Sequence, residues 1–298
     1  MHARLCYKGK TIVKRTLILR NLSRRTLTGF FLVVIILGGL WLHPLSYLTI
    51  GLILLVGSLY EYYRLISAAG SPIQEVTGII TAVIIYIISV FVAAGILDAI
   101  SYLLVMVAVI LIIITELFRN DGKPFDTLAH TIFGLIFISI PYSLFPFMAF
   151  GFTEPETILP NRIPGFSPGL MLGFLVLSWG FDVGAYLFGS YFGKHKLLEK
   201  ISPDKSWEGF IFGLVTAVLL AWPVSLWIET PGTRGWILIA VLISVTGTLG
   251  DLVESMLKRS AGVKDSGSLL PGHGGILDRF DSLILSLPFV FLFITLFG

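Results

Sequence analysis

The sequence predicts an all-α polytopic membrane protein of about nine transmembrane helices, N-terminus cytoplasmic and C-terminus on the opposite side. Three observations predict it. Of 298 residues, 55% are hydrophobic and 13% are charged, about half the charged share of a soluble domain, and mean hydropathy is +0.91. Nine apolar runs come close to the roughly 20 residues that a spanning helix needs: 27–43, 45–62, 76–95, 97–117, 128–150, 168–190, 207–228, 235–257 and 280–297. The basic residues are also sorted. Of 21 Lys and Arg, all but Arg162 and Arg234 fall on the side of the N-terminus, the loop asymmetry that sets orientation. Backbone groups in lipid must be satisfied within their own segment, which makes these runs helices. The short alternating segments of a β-barrel are absent from the sequence.

Taken in order, residues 1–25 hold eight basic groups and no acid. They are expected to form a cytoplasmic anchor on anionic lipid, not a cleaved leader, since no small-residue cleavage site follows the first run. His43-Pro44 marks the turn between the first two runs. Residues 26–165 form a first group of five spans, almost free of ionisable residues, with Asp98, Glu116 and Asp126 near predicted ends. Residues 166–298 form a second group of four with a different character. Asp182 lies inside WGFDVGAYLFG, Asp251 and Glu254 inside TLGDLVESMLKR, and Asp278 and Asp281 open the last span. An ionised residue at mid-membrane costs roughly 3 kcal/mol, so five acids here point to a bundle interior or a wet cavity.

Spacing sharpens this. Asp251, Glu254, Ser255 and Lys258 fall on one face of a helix, and Asp278 and Asp281 share another. Gly180 and Gly184, Gly189 and Gly193, and Gly209 and Gly213 are each four apart, a spacing that lets membrane helices approach closely. The segment ISPDKSWEGF is expected to start a helix, with Ser202 as N-cap, Pro203 at the first position and Asp204 in the first turn. Between the last two spans lies KDSGSLLPGHGGILDRFDS. Carboxylates of this kind suit Mg²⁺ held together with substrate phosphates. Lysine and arginine suit phosphate oxygens, and glycines let backbone N–H groups approach an anion. His273 is expected to order the loop or touch phosphate; without a Cys or His cluster, zinc is not expected. With one cysteine, Cys6, no internal disulfide can form. GSYFGKH is too short for a Walker A loop, GHGG follows no strand, and HExxH and GxSxG are absent.

From Ser255 the chain reads Leu257, Lys258, Arg259, then Lys264, Asp265, Gly267, Leu270, Pro271, His273, Gly274, Gly275, Asp278, Arg279 and Asp281. This run resembles the signature of the phosphatidate cytidylyltransferase (CDP-diglyceride synthase) family of bacterial type. DVGAY at 182–186 and SPDKSWEG at 202–209 resemble its other blocks. The resemblance covers residues 178–282, and the first five spans match it in hydrophobicity alone. It implies transfer of the cytidylyl group of CTP to phosphatidic acid, giving CDP-diacylglycerol and pyrophosphate. It implies Mg²⁺, with a second cation, monovalent or divalent, left open. It also implies a homodimer in the cytoplasmic membrane with its active site facing the cytoplasm, and no nucleic-acid partner.

On that reading Asp251, Asp278, Asp281 and Asp182 are the expected metal ligands. Asp251, Asp278, Asp281, Lys258 and Arg279 are the expected catalytic groups. Lys205, Ser206, Glu208, Arg259, Lys264, His273, Gly274 and Gly275 are expected to hold nucleotide or lipid phosphate. A CTP-dependent polyprenol or phytol kinase shares a loosely similar block, and it would release CDP. A cation channel or transporter would also explain intramembrane aspartates, but no internal repeat between the two halves supports it.

Overall fold

The structure, a computed structural model, describes residues 33–119, 122–150, 165–263, 266, 267, 269 and 274–297. The basic segment 1–25, Lys264 and His273 lie outside the described residues. We label the helices α1 (Val33–Leu42), α2 (Pro44–Ala68), α3 (Glu75–Ala93), α4 (Leu103–Leu117), α5 (Pro124–Phe150, with a π turn at Leu135–Ser139), α6 (Gly169–Phe192), α7 (Trp207–Trp227), α8 (Gly232–Ser260) and α9 (Leu277–Phe297). Among the described residues, eight helices are long and apolar enough to cross a membrane, and the described part of the first run is the shorter helix α1.

The expected turn at His43-Pro44 is present. His43 has extended backbone, its Nδ1 accepts the Leu45 N–H at 3.1 Å, and Pro44 opens α2, where a missing N–H costs nothing. The tyrosine-rich core of the first five helices buries ring hydroxyls only where an acceptor waits. Tyr47 donates to the Phe145 carbonyl at 2.8 Å, Tyr63 to the Thr131 carbonyl at 3.1 Å and Tyr86 to the Leu48 carbonyl at 2.9 Å. An unpaired hydroxyl in such surroundings would be costly.

In the second group α6 packs along α7, α7 on α8, and α8 on α9; α9 in turn reaches α2 and α5. The glycine pairs do what their spacing predicts. A Cβ on Gly209 would stand 2.9 Å from the Ala185 carbonyl oxygen and 3.2 Å from the Gly189 Cα, so backbone meets backbone where α6 and α7 cross. Gly209→Val is therefore expected to destabilise the protein by about 3 kcal/mol, the upper range for overpacking. Thermal unfolding in detergent checks this; an unchanged midpoint would mean the crossing is loose.

The structure corrects the sequence reading between α6 and α7. Residues 202–206 do not begin a helix. They form β2 (Ser202–Ser206), paired antiparallel with β1 (Lys196–Leu198), Lys196 opposite Ser206 and Leu198 opposite Ser202. The protein is thus not purely α. The N-cap is Ser206, whose Oγ accepts the Gly209 N–H at 3.1 Å. Ser202 and Ser206 both fit a cap, and Pro203 fits a strand edge as well as a first helical turn. The choice falls to Ser206 because its side chain reaches the N–H three residues on, in a pocket where Gly189 and Gly193 leave room for it.

Candidate active site

The end of α6, the hairpin, the start of α7, the end of α8 and the start of α9 meet at one end of the bundle. Two close approaches build the site. A Cβ on Gly250 would stand 2.5 Å from the Asp281 carbonyl oxygen, which sets α9 against α8 beside Asp251. Lys205, from β2, forms an ion pair with Asp251 and ties the hairpin to α8.

The polar stripe predicted on α8 is present. Ser255 Oγ donates to Asp251 Oδ1 at 3.4 Å, and Lys258 pairs with Glu254 one turn earlier. Among the described residues, Asp251, Glu254 and Asp281 each offer a carboxylate oxygen, and these atoms lie within 4.8 Å of one another. Asp182, on α6, lies within electrostatic range of Asp251 and Lys205. Glu254 was not among the metal ligands expected from sequence. Its carboxylate is the most enclosed of the set, with 1% side-chain exposure, and its Oε1 has no hydrogen-bond partner. Asp281 is 8% exposed and accepts the Ser282 N–H at 2.6 Å. Like charges this close repel strongly in a low-dielectric site. A hard cation with oxygen ligands fits this donor set.

Asp278 lies beside Glu254 and carries several further contacts. Lys258 Nζ donates to its Oδ1 at 2.8 Å, the Ser266 N–H lies 3.1 and 3.2 Å from its two oxygens, and the Gly275 N–H donates to Oδ2 at 3.0 Å. It gathers Lys258 and the loop between α8 and α9. Gly274 has φ +87, a conformation open to glycine, and Gly275 turns its N–H inward to Asp278. The anion that the Gly275 N–H meets is therefore the protein's own.

The remaining expected residues divide. Ser206 is buried as the α7 cap. Glu208 accepts the Lys194 N–H at 3.1 Å and the His195 N–H at 3.2 Å, and it meets His195 Nδ1 at 2.6 Å, so it clamps the hairpin to α7. Arg259 and Arg279 are exposed at the rim. Sequence reasoning missed Glu61 on α2, a buried acid whose Oε2 accepts the Leu277 N–H at 2.8 Å. The available signal was an acid inside an apolar run, four residues after Gly57.

A family model described as the cytidylyltransferase family matches residues 23–297. The chain is 36% identical over 275 residues to a phosphatidate cytidylyltransferase of Staphylococcus haemolyticus, covering 89% of this chain and 95% of that protein. It is 48% identical over 125 residues to the protein of that name from Haemophilus influenzae, covering 40% of this chain and 43% of that one. With the Bacillus subtilis protein of that name it shares 50% over 124 residues, 41% of this chain and 46% of that one. In the last two the matched stretch is under half of the relative's length.

Proposed function

This chain belongs to the cytidylyltransferase family, and we propose that it transfers the cytidylyl group of CTP to phosphatidic acid, giving CDP-diacylglycerol and pyrophosphate. The observation that carries the reading is the convergence of Asp251, Glu254 and Asp281 beside Lys205 and Lys258 at one end of an apolar bundle. An oxygen of the lipid phosphate bonds to the α-phosphorus of CTP. The bond from that phosphorus to the oxygen bridging it to the β-phosphate breaks, and the electron pair leaves with pyrophosphate. The nucleophile is already an anion, so no strong base is needed. Positioning and charge neutralisation carry the rate.

Asp251, Glu254 and Asp281 would hold Mg²⁺, with Asp182 at the same cluster. When bound, the ion supplies neutralisation of phosphate charge. Lys258, Arg259, Lys264 and Arg279 would bind the triphosphate and the departing pyrophosphate. Lys205 would bind the lipid phosphate or the nucleotide. Asp278 holds Lys258 and the α8–α9 loop in register, and His273, Gly274 and Gly275 belong to that loop. Residues 166–298 then form the catalytic region, residues 26–165 its membrane scaffold and residues 1–25 a basic anchor. The distribution of Lys and Arg supports a site facing the cytoplasm, in the cytoplasmic membrane. A homodimer is part of the same reading.

The test is pyrophosphate release by purified protein in detergent with CTP, Mg²⁺ and phosphatidic acid, omitting each in turn. Release that needs all three, with CDP-diacylglycerol formed in step, is expected. Release of CDP in place of pyrophosphate would overturn it.

A further inference from the structure

We propose that Glu61, from the N-terminal group of helices, is a positioning residue for the active site. It fixes the α8–α9 loop and the first turn of α9. Glu61 is 2% exposed, in the third quarter of α2. A carboxylate there is costly unless something compensates its charge. Backbone compensates Oε2, while Oε1 has no hydrogen-bond partner among the described residues. Leu277, the first residue of α9, donates its N–H to Oε2 at 2.8 Å across 216 positions of sequence, and the Leu269 and Ile276 N–H groups face the same carboxylate. A helix N-terminus presents unsatisfied N–H groups and the positive end of its dipole, so an acid from another helix can serve as its cap.

Two described glycines of the loop lie against this carboxylate. A Cβ on Gly267 would stand 2.6 Å from Glu61 Cδ, and one on Gly275 would stand 2.9 Å from it. One turn before Glu61, Gly57 leaves the space that the Ile276 side chain fills. Gly57 and Glu61 lie on one face of α2, a notch and an acceptor for the same segment. Glycine at 267 and 275 is thus required by an acid of the protein itself. Asp278 ties Ser266 and Gly275 from α9 while Glu61 ties Leu277 from α2, so two acids from different helices hold this segment. Asp278 and Asp281 follow Leu277 by one and four residues, so their placement depends on it. Glu61 is not part of the carboxylate cluster, and its effect passes through Leu277 and the loop.

The experiment compares Glu61→Ala and Glu61→Gln with wild type, as full-length protein in detergent. Two quantities are measured: hydrogen–deuterium exchange of a peptide covering 266–277, and kcat with KM for CTP and phosphatidic acid, per folded molecule. Glu61→Ala is expected to speed exchange in that peptide about tenfold while peptides from α6 and α7 keep their rates. It should lower kcat by about 100-fold, the scale of a misplaced catalytic group, with little change in KM. Glu61→Gln keeps the volume and one acceptor and falls between. If the alanine variant does not fold, the glutamine variant decides. Wild-type exchange and wild-type kcat would overturn the proposal. So would exchange that rises uniformly along the chain, since that marks general destabilisation. The turnover arm rests on the proposed function, while the exchange arm does not. A wild-type protein without cytidylyl transfer would sink that function and leave the exchange result standing.

Discussion

Asp278→Asn is expected to lower turnover by two to three orders of magnitude while the chain still inserts in the membrane. Asp278 is nearly enclosed and holds Lys258 on one oxygen and backbone N–H groups of the loop on both. Asparagine keeps one acceptor, but its amide replaces a carboxylate oxygen that accepts from Lys258 or from the loop N–H groups. Losing one partner of a buried ion pair costs up to about 3–5 kcal/mol; here Lys258 keeps Glu254, while the loop N–H groups lose their charged acceptor. At about 1.4 kcal/mol per factor of ten, that loss in the transition state gives the stated range. Pyrophosphate release per folded molecule, with membrane fractionation as a control, measures it. A rate within about tenfold of wild type would remove Asp278 from the mechanism.

The parts of this site visible in the sequence are those that a single helix encodes. Asp251, Glu254, Ser255 and Lys258 announce one face by their spacing alone, and the structure places them on it. The glycine pairs announce close helix contact in the same way, and Gly189 and Gly209 supply it. What the sequence hid depends on partners far along the chain. Glu61 has no local partner that explains it, because its acceptor role is defined by Leu277, 216 positions later. Asp278 and Asp281 look equivalent at a spacing of three. They separate only when α8 is in place, Asp278 turning to Lys258, the loop and Glu254, and Asp281 to Asp251 and Glu254. Ser202 is the expected cap, but it is taken up in the hairpin, and Ser206 caps α7 because its side chain reaches the Gly209 N–H in the space left by Gly189 and Gly193. Glu208, expected at phosphate, accepts N–H groups of the hairpin, a contact its position in the sequence does not reveal. Local chemistry names the kinds of groups available; tertiary contacts decide which of them are already satisfied.

That distinction between satisfied and unsatisfied carboxylates yields the second large prediction. Asp281→Asn is expected to abolish Mg²⁺-dependent turnover and, at the same time, to raise the thermal midpoint in the presence of EDTA. Asp281 shares a space of 4.8 Å with oxygens of Asp251 and Glu254, and Lys205 and Lys258 pair with those two neighbours. Without a divalent ion, removing one charge relieves repulsion that a low-dielectric site screens poorly. The Ser282 N–H keeps its acceptor, since the asparagine oxygen can replace the carboxylate oxygen. With the ion, the signs reverse. A ligand at 100 times its Kd stabilises a folded protein by about 2.7 kcal/mol, so wild type should gain stability on addition of Mg²⁺ and the variant should not. Asp278→Asn should behave oppositely, losing stability with or without the ion, because its carboxylate is already paired with Lys258 and the loop. Two aspartates three residues apart on one helix are thus predicted to shift the EDTA midpoint in opposite directions. Thermal unfolding of both variants with EDTA and with Mg²⁺ tests this. A fall in the EDTA midpoint for both would mean that Asp281 is satisfied within the protein, and that the cation lies elsewhere.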